Sequence, residues 1–157
     1  MSLLRLHATA ATLRDMRPQD ELEPKRQGQE GQPLLRSSAV IALVAEARAS
    51  GPREACGVLI EREGALVALS RGRGQRDSFE VPARDLLPEA LDGSLRGTWH
   101  THPQGPAALS PADAEGLWEG ALALVIGLSP LGALLVHWHG GVARVLQRWG
   151  PDDLAQS

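Results

Sequence analysis

Apolar positions along the chain follow two rhythms, one helical and one strand-like. From Ser37-Ser38 onward, Val40, Ile41, Leu43, Val44 and Ala47 recur at helical spacing, with serine available as a cap. Gly51-Pro52 then stops the helix. Two near-continuous apolar runs follow, residues 55–60 and 65–69, joined by Glu61-Arg62-Glu63-Gly64. They predict a hairpin whose strands are covered on both faces. Residues 70–76 are rich in Gly and Arg and read as a solvated loop; an RNA-binding reading is disfavoured because no aromatics interleave. Phe79-Glu80-Val81 predicts a short strand and residues 82–91 a helix. Residues 95–102 predict a strand, weakened by Arg96 and Gly97. Residues 111–119 predict a helix with Leu117 and Trp118 toward the core. Three more apolar runs, 121–128, 132–139 and 142–149, are separated by the turn signals Ser129-Pro130-Leu131-Gly132 and Gly140-Gly141. Helix, hairpin, helix, strand, helix and meander make an α+β layout around a mixed sheet.

Composition narrows the setting. A chain of 157 residues is long enough for one domain with a sizeable core. Residues 34–150 carry the periodic pattern, flanked by an N-terminal extension, 1–33, and a C-terminal tail, 151–157. Residues 3–16 suit a short helix or strand, whereas 17–33 are dense in Pro, Gln, Gly and charge and read as a flexible linker. A disordered tail is favoured there over an arm that docks on a partner subunit. The formal charge of −3 argues against nucleic-acid or anionic-membrane partners. A single cysteine excludes an internal disulfide. Residues 1–7 lack the apolar core of a signal peptide, and the longest apolar stretch, 121–128, is too short to span a bilayer, so a cytoplasmic location is expected. A homodimer stays open.

The chemistry concentrates in Trp99-His100-Thr101-His102-Pro103 and Ser110-Pro111-Ala112-Asp113. Successive strand side chains alternate, so His100 and His102 share a face while Thr101 turns away, and Pro103 ends the strand. Ser110, Pro111 and Asp113 have the order of a helix start: cap, first position, and an acid that suits the dipole. Two imidazoles and a carboxylate meeting across one loop, with a fourth position open, suit a catalytic zinc. Each half alone has an ordinary reading, as a polar strand face and a capped helix.

Together, His100-Thr101-His102-Pro103, the seven-residue spacer from Pro103 to Leu109, and Ser110 with Asp113 resemble the JAMM (MPN+) metalloprotease family, as a short prokaryotic-type member. That family's motif is a distant glutamate, then H-[ST]-H-P, a spacer of this length and S-x-x-D. Glu54-Ala55-Cys56-Gly57-Val58-Leu59 resembles the family's E-x-C-G-x-L segment, and the likeness covers residues 35–149. It implies a curved, barrel-like mixed sheet flanked by helices, with the metal at its edge. It implies one Zn2+ held by His100, His102 and Asp113, with Glu54 as general base and Ser110 as oxyanion donor. Nothing local separates Glu54 from Glu46, Glu61 or Glu63, and helix capping competes for the Ser110 hydroxyl. The implied activity is hydrolysis of peptide or isopeptide bonds at the tails of ubiquitin-like proteins. Little chain follows Asp113 and only residues 70–94 could form an insertion, so small β-grasp sulfur carriers ending in Gly-Gly are the expected substrates.

Other readings stand beside it: a catalytically silent scaffold, a metal-storing or regulatory module, or a peptidase on small carrier-linked or cell-wall peptides. His137-Trp138-His139 is a second H-x-H, read as a solvated strand end because no acid or cysteine is near in sequence. Cys56, alone in an apolar strand, reads as packed rather than nucleophilic.

Overall fold

A computed structural model gives the structure of residues 33–155; the expectations for residues 1–32 and 156–157 fall outside the described residues. The first half runs α1 (Ser37–Ala49), β1 (Cys56–Arg62), β2 (Ala65–Ser70), β3 (Arg73–Gly74), β4 (Phe79–Glu80) and α2 (Ala83–Asp92). The second half runs β5 (Leu95–His102), α3 (Pro111–Glu115), β6 (Leu122–Leu128), β7 (Leu131–His139), β8 (Val142–Trp149) and α4 (Pro151–Leu154). Six strands form one mixed sheet in the order β2-β1-β5-β6-β7-β8, and β3 pairs with β4 in a small second sheet. Only β5 and β6 run parallel, and the crossover between them carries α3. No helix among the described residues is long and apolar enough to cross a membrane.

Alternation along the central strands sorts the core onto two faces. Leu59, Trp99, Leu124, Ile126 and Leu135 pack against Val40, Leu43 and Val44 of α1 and Leu154 of α4. Val58 and Ile60 point the other way, into a cluster with Phe79, Val81 and Leu86 of α2. Full burial of each such side chain contributes about 1.5–3 kcal/mol, so the strands with both faces covered anchor the fold. β1 is one of these, but β2, an edge strand, is only half-buried, contrary to the expectation for the whole hairpin.

The sheet is open rather than a closed barrel, yet it curls far enough for one segment to touch both edges. Leu66 N–H of β2 donates to the Leu34 carbonyl (3.3 Å). The next residue, Leu35, exchanges two hydrogen bonds with the Gln147 side chain of β8, at 2.8 and 3.1 Å. A side-chain amide carries both donor and acceptor, as a backbone residue does; here it joins the edges where a strand pair would close a barrel.

Local chemistry explains the other departures. Ser37 does not cap α1: Arg36 holds the N-cap position, and the Ser37 hydroxyl accepts from Trp149 Nε1 (3.1 Å). The first hairpin needs only Glu63-Gly64, both at positive φ (52° and 77°), so β1 runs on to Arg62. α3 stops at Glu115 instead of 119; Gly116 caps it, Leu117 packs beneath the sheet, and Trp118 is half-buried. Within the loop read as solvated, Arg71 is clamped to Glu89 of α2 through both guanidinium nitrogens and also donates to the Asp85 carbonyl. Residues 151–154 of the expected tail form α4, with Leu154 buried.

Candidate metal centre

The two histidines sit at the carboxyl end of β5, between β1 and β6, so the site lies at a strand end inside the sheet rather than at the sheet's edge. Gly97 permits this placement. A Cβ there would lie 1.7 Å from the Leu122 carbonyl oxygen, so glycine lets β5 lie against β6. His100 and His102 then project on one face, as the alternation predicts. Asp113 reaches them from the first turn of α3, the start of which is a capping box: Asp113 N–H donates to Ser110 Oγ (3.0 Å) and Ser110 N–H to Asp113 Oδ2 (2.9 Å).

The three donor atoms form a nearly equilateral triangle. His100 Nε2 lies 3.1 Å from His102 Nε2 and 3.2 Å from Asp113 Oδ2, and His102 Nε2 lies 3.4 Å from the same oxygen. A tetrahedral zinc with bonds of about 2.0–2.1 Å has ligand–ligand edges of about 3.3–3.4 Å. The residues therefore fit a zinc-like divalent ion, with three protein ligands and one open position, and they are the one such group among the described residues. The supporting contacts agree. His102 Nδ1 donates to the Pro106 carbonyl (3.0 Å), which leaves the Nε2 lone pair facing the triangle. Phe79 stacks on His100 with centroids 4.6 Å apart and planes 17° from parallel, fixing the buried ring.

Electrostatics set the protonation. Burial pulls the His100 imidazole down, against the pull of Asp113, so it is neutral near pH 7. Burial also acts to lower His102, but Asp113, the Pro106 carbonyl and Glu54 outweigh it and raise its affinity for a proton. At Asp113 burial opposes ionisation, yet the bonds from the two histidines win and hold the carboxyl far below the usual carboxylate range. Both rings face the same Asp113 oxygen, and a divalent cation would bind between the three donor atoms.

Glu54 joins them from two residues before β1, whose Cys56 pairs with His100. Its carboxyl feels the charges of both His102 and Asp113. Glu54 is 8% exposed. Burial, then the charges of Asp113 and Asp77, push its carboxyl up to about 7, against the pull of His102. It borders a cleft of about 770 Å³ with Arg53, Cys56 and Ser70, an approach from solvent. Glu46 lines the same cleft but accepts from Ser70, whereas Glu61 accepts from Arg96 and Glu63 sits in the hairpin turn.

For Ser110 the two readings prove compatible. Its oxygen accepts the capping bond, which leaves its own hydroxyl proton to donate. Cys56 is buried, donates to the Arg71 carbonyl, and is pushed up to about 12 by burial, so it is a thiol at neutral pH. His137 and His139 stack 6.0 Å apart, and His139 pairs with Glu119, an acid the sequence had not placed there. Phe79 and Pro106 escaped the sequence reading, because neither residue type announces a contact made across the fold.

A family model described as prokaryotic homologs of the JAB domain matches residues 36–147. No curated protein matches the chain. Among solved structures, the solution structure of protein DSY2949 from Desulfitobacterium hafniense is similar in fold, with a TM-score of 0.58 and 22% identity over 72% of this chain and 88% of that one.

Proposed function

The chain belongs to the prokaryotic JAB-domain family, and from that premise we propose that it is a zinc-dependent peptidase or isopeptidase. Its substrates are small ubiquitin-like, β-grasp sulfur-carrier proteins or their conjugates, cut at the C-terminal Gly-Gly tail. The family includes metal-dependent isopeptidases and inactive scaffolds. The observation that favours an enzyme is the ligand triangle of His100, His102 and Asp113 with the Glu54 carboxyl in its field. A metal-storing site needs the triangle but not a buried carboxyl beside it.

A zinc ion at the triangle would polarise the scissile carbonyl and acidify water near neutral pH. The remaining work falls to the chain. Glu54 takes the proton of the attacking water and returns it to the leaving amine, as a buried carboxylate beside the triangle can. The Ser110 hydroxyl, with its proton uncommitted to the cap, donates to the oxyanion that develops on the carbonyl. Asp113, held by the capping box, and His102, held by Pro106, are set before substrate arrives.

The test is cleavage of a panel of β-grasp proteins carrying C-terminal extensions after Gly-Gly, with peptidoglycan fragments alongside. Cleavage after Gly-Gly that zinc restores to chelated protein supports the proposal. Cleavage of the cell-wall peptides alone moves the substrate class. Zinc binding with no hydrolysis of either set returns the chain to the scaffold or storage reading.

A further inference from the structure

We infer that Thr101 is a positioning residue, whose hydroxyl sets the place of Glu54 through the backbone of Ala55; the kinetic part of this inference rests on the hydrolase reading. β1 and β5 are antiparallel, and a closely spaced pair in such a ladder exchanges two backbone bonds. Ala55 and Thr101 stand at such a pair, but only one of the two bonds is backbone to backbone: Thr101 N–H donates to the Ala55 carbonyl at 3.0 Å. The return bond from Ala55 N–H goes to Thr101 Oγ1, at 2.8 Å and fully buried. A side-chain oxygen stands where a strand carbonyl would, so the residues just before β1 leave the ladder at this point. One residue earlier, Glu54 N–H turns away and donates to the Gln75 carbonyl at 2.7 Å. The backbone of Glu54 is thus suspended between two fixed anchors, one of them the hydroxyl of the residue between the two histidines. Threonine is suited to this, since its β-branch restricts the side chain to few rotamers, and Thr101 is wholly buried. One strand thereby orders the metal ligands on one face and the base through the other.

Thr101→Val keeps the shape and removes the acceptor, whereas Thr101→Ser keeps the acceptor. Ala55 N–H in the valine protein is left without its acceptor, and Glu54 moves with it. Misplacement of a catalytic group by about 1 Å costs up to about 100-fold, so the valine protein should lose about 10–100-fold in kcat. KM should stay within about twofold. Zinc content should equal that of wild type, and serine should restore most of kcat. Amide hydrogen exchange, which needs no substrate, should show faster exchange at Ala55 in the valine protein than in wild type or the serine variant. If the valine protein does not fold, Thr101→Ala is measured in its place, with the same expectations. Full kcat in the valine or alanine protein, equal losses in it and in the serine protein, loss of zinc, or an Ala55 amide as protected as in wild type would each overturn the inference. A wild-type protein that cleaves nothing counts against the hydrolase reading, while the exchange experiment still decides the clamp.

Discussion

Glu54→Gln separates a functional carboxyl from a structural one, because the two make opposite predictions for stability. Burial raises the Glu54 carboxyl from 4.5 to about 7 in the folded, metal-free chain. Between those values the folded protein binds more protons than the unfolded one, so its stability falls as pH rises from about 4.5 to 7 and is level above that. A tenfold change in proton affinity is worth about 1.4 kcal/mol, which sets a ceiling of about 3.5 kcal/mol; access of water through the adjoining cleft reduces this to about 1–2 kcal/mol. Glutamine never ionises and escapes that cost. In urea denaturation with a chelator present, the variant should match wild type near pH 4.5 and exceed it by about 1–2 kcal/mol at pH 8. In zinc-loaded protein the cation draws the Glu54 proton affinity back down, and the difference between pH values should shrink. Hydrolysis should fall by about 100- to 10,000-fold, the usual worth of a general base, with zinc still bound. A variant less stable than wild type at both pH values would make Glu54 a structural acid, and one that keeps full activity would remove it from the chemistry.

The Ser110 roles can be divided by choice of replacement. Glycine at an N-cap costs only a few tenths of a kcal/mol and alanine about 1, yet both should lose about 100- to 1,000-fold in kcat; activity retained by Ser110→Gly would leave Ser110 as a cap alone. Glu89→Gln breaks a pair whose acid is 7% exposed and whose Arg71 partner is 27% exposed, and should cost about 3 kcal/mol, the lower end for a buried pair; an unchanged urea midpoint would contradict the clamp. Chelation should lower thermal stability, by about 2.7 kcal/mol relative to protein with free zinc at 100 times its dissociation constant. Asp113→Asn should abolish that response, and a variant that responded as wild type does would dismiss Asp113 as a ligand.

What could be read along the chain was whatever depends on near neighbours. The helical spacing of Val40 to Ala47, the apolar runs that became β6, β7 and β8, and the two-residue turn at Gly140-Gly141 are local choices, and the structure keeps them. His100 and His102 belong to the same class, since two-residue alternation alone puts them on one face. The cap at Ser110 likewise follows from four consecutive residues. Arg96 and Gly97 weakened the reading of β5 for reasons that vanish in three dimensions. Arg96 pairs with Glu61 of β1 at 2.6 Å, and Gly97 leaves room for the Leu122 carbonyl.

What could not be read depends on strand order and register. Glu54 and Glu61 are the same residue type on the same stretch of chain, and only the pairing of β1 with β5 decides which meets His102 and which meets Arg96. A shift of one residue in that pairing would turn the acid to the opposite face. The same ladder explains why Thr101 looked idle: a side chain turned away from its neighbouring histidines acts on the strand beside it. Sequence separation is therefore a poor guide to chemical role here. Residues 54 and 102 are distant in order yet each acts on the other's charge, and the physical content of a motif built from a distant glutamate and a local histidine pair is the strand pairing that unites them.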